Sequence, residues 1–229
     1  MANLAQLRVV EGLDGVLLVD KPEGIAFSTV VKTVKRKFGL VKVGHGGSLD
    51  AMASGLMVIL VNNANKFADR IMAADRSYTG TMRFGATTDT GDRYGRPEPL
   101  PEQTMKPEEV RGDIFQTEPR FCSVRKEGSA EYEIADTGDH CQFLAHVYKF
   151  DVESAKDGTN MTDRAFALYA SKSVLVRALA KDLGATLISL RRTKIGGFDV
   201  ADATPFGRLL EIEIGDFASC VMPTAKAFA

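Results

Sequence analysis

Apolar and polar positions along the chain mark out a series of short elements. Gly15-Val-Leu-Leu-Val-Asp20 is an apolar run that predicts a buried strand, ended by the turn Lys21-Pro-Glu-Gly24. Ser28 stands where an N-cap belongs. Val30, Val31, Val34 and Phe38 then share one face of a helix over residues 28–38, with Gly39 as its stop. Residues 56–61 predict a second buried strand, 65–74 a helix and 77–84 an alternating strand. Residues 87–101, rich in Asp, Gly and Pro, predict a solvated connection. Lys106-Pro-Glu-Glu-Val opens like a helix, with proline and acids in its first turn. Further on, the pattern predicts an extended segment at 119–126, a polar turn-rich stretch at 128–142 and strands at 146–152 and 165–171. A helix over 173–183 is closed by Gly184, and a strand follows at 185–192. Strands and helices mixed without regular alternation predict an α+β architecture in one domain spanning 1–229, with no internal repeat and no linker.

The densest chemical feature lies between these elements: Lys42-Val-Gly-His-Gly-Gly-Ser-Leu-Asp50-Ala-Met-Ala-Ser-Gly55. Gly44, Gly46, Gly47 and Gly55 disfavour both a helix and a plain strand, because glycine loses the most backbone entropy in either. A glycine-rich polar loop leading into a core strand is a common way to present a side chain to a ligand. Asp50 is its one carboxylate. Local chemistry alone favours a plainer role, with Ser48 or Asp50 capping a short helical turn through Ala51-Met52-Ala53 that Gly55 ends. His45 on the same footing is a hydrogen-bonded structural histidine.

Composition narrows the classes. Hydrophobic residues at 45% and charged residues at 26% are ordinary for a globular protein. Cys122, Cys141 and Cys220 are far apart and form no cluster with His45, His140 or His146, which argues against a disulfide framework or a metal site. The first residues lack the pattern of a signal or transit peptide, and no apolar run approaches about eighteen residues. A cytoplasmic protein without a membrane partner is expected. The net charge of −1 is unlike that of a typical nucleic-acid binder. Yet Lys32, Lys35, Arg36 and Lys37 crowd one segment, and Arg191, Arg192 and Lys194 another. Each cluster is either a solvated face or a phosphate-contacting one.

Six separated segments together resemble the TruB-type tRNA pseudouridine synthases. They are Gly15-Val-Leu-Leu-Val-Asp-Lys-Pro-Glu-Gly24, Val43-Gly-His-Gly-Gly-Ser-Leu-Asp50, Asp75-Arg-Ser-Tyr78, Gly85-Ala-Thr-Thr-Asp-Thr90, Lys172-Ser-Val-Leu-Val-Arg177 with Asp182-Leu-Gly184, and Ser189-Leu-Arg-Arg-Thr-Lys-Ile-Gly196. The resemblance implies the pseudouridine synthase fold, a mixed and mostly antiparallel sheet flanked by helices with a central RNA-binding cleft. It also implies isomerisation of a uridine in RNA, typically uridine 55 in the T loop of tRNA, with no metal and no organic cofactor; a monomer is expected. On the motif match Asp50 is the catalytic aspartate, Arg177 the guanidinium that keeps it ionised and Tyr78 the aromatic that stacks on the base. Leu190 would wall the pocket, while Lys21, His45, Gly47 and Arg191 would contact RNA or support the loop.

The chain departs from the family's usual pattern at identifiable places. Gly46 replaces a threonine, Ala51 a proline, Ser54 a threonine and Leu175 a tyrosine. The stretch 128–142, matching the family's RNA-clamping insertion, is acidic through Glu131, Glu133, Asp136 and Asp139. Too few residues follow Gly196 for the PUA domain carried by many members. Beside an active synthase, these features leave two alternatives: a non-catalytic RNA-binding or RNA-folding protein on the same scaffold, and a synthase acting on a different RNA.

Overall fold

A computed structural model describes residues 12–100, 102–117, 119, 142–154 and 162–229. The expectations for 120–126 and for the RNA-clamping stretch 128–141 lie outside the described residues. In chain order the strands are β1 (Gly15–Lys21), β2 (Val43–His45), β3 (Ser54–Val61), β4 (Arg76–Phe84), β5 (Thr87–Thr88), β6 (Pro97–Glu98), β7 (Gly112–Thr117), β8 (Gln142–Val152), β9 (Thr162–Ala170), β10 (Ala185–Ile195), β11 (Phe198–Asp199), β12 (Thr204–Pro205) and β13 (Val221–Pro223). The helices are α1 (Phe27–Lys37), α2 (Ala68–Ala73), α3 (Val176–Asp182), α4 (Phe206–Glu211) and α5 (Thr224–Ala227). Strand pairing is mostly antiparallel, as expected for this α+β class. No helix among the described residues is long and apolar enough to cross a membrane.

The chain divides into two compact units, Met1–Arg76 with Arg191–Ala229, and Ser77–Leu190. In the first, β1 pairs antiparallel with β3 over its whole length, from Gly15 opposite Val61 to Lys21 opposite Gly55. On its far side β1 takes β13 antiparallel and β12 parallel. Both central strands are buried on both faces, which explains their unbroken apolar runs. One face of them, Val16, Leu18, Leu56, Val58 and Leu60, packs with Ala64, Ile71 and Ile195. Helix α1 buries Val30 and Val34, and Phe38 just beyond it stacks on Phe217 at 3.8 Å. The helix begins at Phe27 after an Ala26 cap, so Ser28, expected to be the N-cap, lies inside its first turn. The predicted helix at 65–74 is a 3-10 segment, Asn62–Phe67, running into α2.

The second half of β10 runs parallel to the start of β3, with Arg191 opposite Ser54 and Arg192 opposite Gly55. Gly55 has φ +107°, and a Cβ there would lie 2.2 Å from the Arg192 carbonyl oxygen. This glycine is therefore required by the close approach of two backbones and does not end a helix.

In the second unit the strands run in the order β10, β4, β9, β8, β7. Strand β7 pairs antiparallel with β8, and β8 with β9 through an irregularity between Val147 and Lys149. The helix expected after Lys106 is a single 3-10 turn, Pro107–Glu109, and strand β7 follows where none was predicted. Gln116 explains why β7 hides from a pattern search. It occupies an inward position that an apolar residue normally takes, and its side chain is buried. Its Nε2 donates to the Leu175 carbonyl at 3.1 Å, and its Oε1 accepts from the Leu175 amide at 3.0 Å. Both groups stand at the N-terminus of α3, which has no side-chain cap of its own.

Candidate active site

The stretch between β2 and β3 is irregular. Val43–His45 pairs with β3 despite Gly44, and beyond it the Gly46 amide donates to the Val58 carbonyl at 2.9 Å. Residues 47–53 form no helix. A single turn closes where the Ala53 amide donates to the Asp50 carbonyl at 3.1 Å. The helical cap expected from local chemistry is thus replaced by a loop with Asp50 at its bend.

Three buried cations hold this loop from beneath by its carbonyl oxygens. Arg192 in β10 is 1% exposed. Its Nε donates to the Leu56 carbonyl at 2.9 Å, and its two terminal nitrogens donate to Ser48 at 2.7 Å and Gly47 at 3.3 Å. Arg76, at the start of β4, donates to the carbonyls of Gly46 at 3.3 Å, Met72 at 3.2 Å and Ala74 at 2.7 Å. Lys21, at the end of β1 and fully buried, donates to Pro22 at 2.9 Å, Ile25 at 2.8 Å and Ala51 at 3.3 Å. Carbonyls on both sides of Asp50 therefore point onto positive charge. Burial pushes the Lys21 amino group down to about 8, against the attraction of Asp50 and Glu23, and Arg192 pushes the same way as burial.

The other sequence-predicted residues of this unit are Gly47, His45 and Arg191. Gly47 has φ +129°, and a Cβ there would sit 2.8 Å from an Arg76 nitrogen. The Gly47 amide donates to His45 Nδ1 at 3.2 Å, and the His45 ring meets Phe27 edge-on at 4.6 Å. Arg191 points to the opposite face of β10 from Arg192 and forms a fork onto Asp20, with contacts of 3.0 and 2.7 Å. Gly46 has a local cause as well: a Cβ there would lie 2.2 Å from Ile71 Cγ2. The volume of the family's usual threonine is taken by Ile71.

Tyr78, Arg177 and Leu190 belong to the second unit. Tyr78 is buried on β4 and Leu190 is buried on β10. Arg177 lies in the first turn of α3, and one terminal nitrogen donates to the Thr90 carbonyl at 2.9 Å. That carbonyl is set by a loop that Asp92 ties together. The Asp92 carboxylate accepts from the Thr90 hydroxyl at 2.8 Å and from the Tyr94 amide at 2.9 Å. The loop is pinned to β10 by Arg93 donating to Leu187 at 2.8 Å and by Leu187 donating to Gly91 at 3.1 Å. Residues 87–95, expected to be a solvated connection, are an ordered support for Arg177. Among the described residues no group of three or more His, Cys, Asp or Glu side chains is arranged to hold a metal ion.

Sequence reasoning missed Arg76 and Arg192 as parts of the site, and grouped Arg192 with its exposed neighbours. Strand alternation carried the signal, because Arg192 stands two residues from buried Leu190 and shares its face.

A mixed, mostly antiparallel sheet with helices is a fold also seen in solved structures. The chain resembles "Structure of H/ACA RNP bound to a substrate RNA containing 2'-deoxyuridine" with a TM-score of 0.61 and 24% identity, over 93% of this chain and 60% of that one. It also resembles a protein of a Cbf5-Nop10-Gar1 complex, with a TM-score of 0.62 and 23% identity, over 96% of this chain and 63% of that one. The chain thus spans about three-fifths of either structure's length and shares its fold. The family model for the N-terminal domain of TruB family pseudouridylate synthases matches residues 35–162. Among curated relatives, tRNA pseudouridine synthase B of Azoarcus sp. (strain BH72) is 36% identical over 83% of this chain and 68% of its own length. The proteins of the same name from Mycobacterium ulcerans (strain Agy99) and Aquifex aeolicus (strain VF5) are 32% and 33% identical, over 71% and 75% of their lengths. The chain belongs to the TruB family of pseudouridylate synthases.

Two outcomes follow from the braced loop. The unfolded chain holds the Lys21 proton up to about 10.5, whereas the folded chain gives it up near 8. Between those values the unfolded state binds more protons, so this group makes stability rise with pH; below about 8 its full burial cost is present. The stability of the wild type relative to Lys21→Met, measured by urea unfolding, is expected to stay level up to about pH 8 and then climb by up to about 3 kcal/mol towards pH 10.5. A constant difference across that range contradicts the assignment. Separately, Gly46→Thr is expected to destabilise by about 1–3 kcal/mol through overpacking. Combining it with Ile71→Ala should cost at least about 1 kcal/mol less than the sum of the single changes. Additive losses would show that Ile71 does not occupy the threonine's space.

Proposed function

We propose that this chain isomerises uridine to pseudouridine in RNA, with Asp50 as the catalytic carboxylate and the T loop of tRNA, at uridine 55, as its substrate. The reaction breaks the N1–C1′ bond, turns the uracil and rejoins it through C5. The C5 proton is lost and N1 gains one, so nothing else is consumed. An ionised carboxylate serves this by meeting the positive charge that develops at C1′, by adding to the ring or sugar, or by removing a proton. Each role needs a carboxylate whose position is fixed before the substrate arrives. The observation that carries the reading is the loop itself, in which backbone carbonyls before and after Asp50 are tied to buried cations.

Tyr78 and Arg177 join the catalytic set on their motifs, Tyr78 as an aromatic face for the target base and Arg177 as its guanidinium. Leu190 supplies an apolar wall. Lys21 and His45 support the loop, Lys21 by donating to the Ala51 carbonyl and His45 by accepting from the Gly47 amide, and Arg191 is held on Asp20. The same reading makes the protein a cytoplasmic monomer with RNA as its partner.

Incubation with unmodified tRNA transcripts, followed by chemical mapping of pseudouridine, tests the proposal. The wild type is expected to convert the T-loop uridine. Asp50→Asn should lower the rate by at least about 1,000-fold while RNA affinity stays within several-fold. Turnover by Asp50→Asn at the wild-type rate refutes the catalytic assignment. Conversion of a uridine only in another RNA replaces the substrate, and binding without any product supports the non-catalytic reading.

A further inference from the structure

We propose that Arg192 is a positioning residue for catalysis, acting through the backbone of the Asp50 loop and not on the RNA. The inference rests on the reading of Asp50 as the catalytic carboxylate. Arg192 is among the largest fully buried side chains in the protein, and it sits on a strand paired in register with β3. A guanidinium has a planar fork of fixed donors, so it sets the direction of the carbonyls it binds as well as their distance. Here that fork spans both ends of the loop. Gly47 and Ser48 lie just before Asp50, and Leu56 lies in the strand that receives the loop.

The surrounding contacts leave little room for the fork to move. The Arg192 backbone approaches Gly55 so closely that no Cβ fits between them. Ser48 and Asp50 are two residues apart, so a shift of the Ser48 carbonyl carries directly into the carboxylate. Displacing a catalytic group by about 1 Å costs on the order of 100-fold in rate. Arg191, by contrast, points to the opposite face of the strand and holds Asp20. Of the two adjacent arginines, Arg192 binds the carbonyls flanking Asp50, whereas Arg191 binds Asp20 and, at 3.5 Å, the Ser54 hydroxyl at the start of β3; the burial of Arg192 removes it from contact with phosphate.

Arg192→Met keeps most of the side-chain volume and removes the fork. Single-turnover rate and RNA dissociation constant are to be measured for this variant beside Arg192→Lys and Asp50→Asn. The rate of Arg192→Met is expected to fall by about 30- to 100-fold with the dissociation constant within about threefold of wild type. Arg192→Lys keeps the charge but not the three-carbonyl geometry, so it should recover only part of the rate. An unchanged rate overturns the proposal, as does a loss explained by weaker RNA binding. Should Arg192→Met not fold, Arg192→Lys carries the test: a reduced rate at unchanged affinity supports positioning, and the full wild-type rate refutes it. Asp50→Asn separates the two levels. If that variant turns over normally, the catalytic reading itself is wrong; if it is inactive while Arg192→Met is fully active, only the positioning role is lost.

Discussion

The bond between a buried side-chain cation and a backbone carbonyl is the constraint on which the Asp50 loop depends. A loop with several glycines has many conformations, and ordering it costs roughly 1–2 kcal/mol of entropy per residue. No helix or long strand offsets that cost between Gly46 and Ala53. Arg192, Arg76 and Lys21 supply the ordering from three different strands, each by gathering several carbonyls at once. Removing these cations from water is itself expensive, by several kcal/mol per ion. The burial that lowers the Lys21 proton affinity is a direct expression of that expense. Such an arrangement is difficult to justify as stabilisation alone. It is well suited to holding one acidic side chain in a fixed place.

The same constraint explains the small residues. Gly47 and Gly55 leave no space for a Cβ because Arg76 and the Arg192 backbone already occupy it, and a Cβ at Gly46 is excluded by Ile71. The departure of Gly46 from the family pattern is therefore a local exchange of volume, with a core isoleucine filling the place of a threonine side chain. The second unit follows a related logic with different groups. The Gln116 side chain orders the start of α3 by pairing with both backbone groups of Leu175, and Asp92 orders the loop whose carbonyl receives Arg177. In both units, polar groups buried out of sequence context hold the residues that the motifs single out.

That logic also decides what was legible in the sequence. Apolar runs located β1 and β3 closely, because strands buried on both faces leave a continuous signal. Gly184 did close its helix, with φ +65°. The mixed, mostly antiparallel fold was legible through ordered motifs. Strand β7 was not, because its key inward residue is a glutamine whose partner is a distant backbone. Asp92 looked like part of a solvated loop, since its acceptors are filled by hydroxyl and amide donors that leave no trace in hydropathy. Arg192 looked like one member of a surface cluster. Charge is read locally in a sequence, whereas its meaning here comes from carbonyls more than a hundred positions away. Asp50 itself reads as a cap on local chemistry and as a catalyst only on the surrounding motifs, and the structure shows an irregular loop there in place of a capped helix.

Membership in the pseudouridylate synthase family and the architecture of the loop lead to one physical statement: the carboxylate is placed before RNA binds. Amide hydrogen exchange in the free protein tests this most directly, with the amides of Gly24, Gly46 and Ala53 as reporters, since each is bonded within or against the loop. Protection factors above about 100, corresponding to an opening cost near 2.7 kcal/mol, are predicted at all three positions without RNA. Exchange at the rate of an unstructured chain would contradict the account, because the loop would then acquire its order only from the substrate.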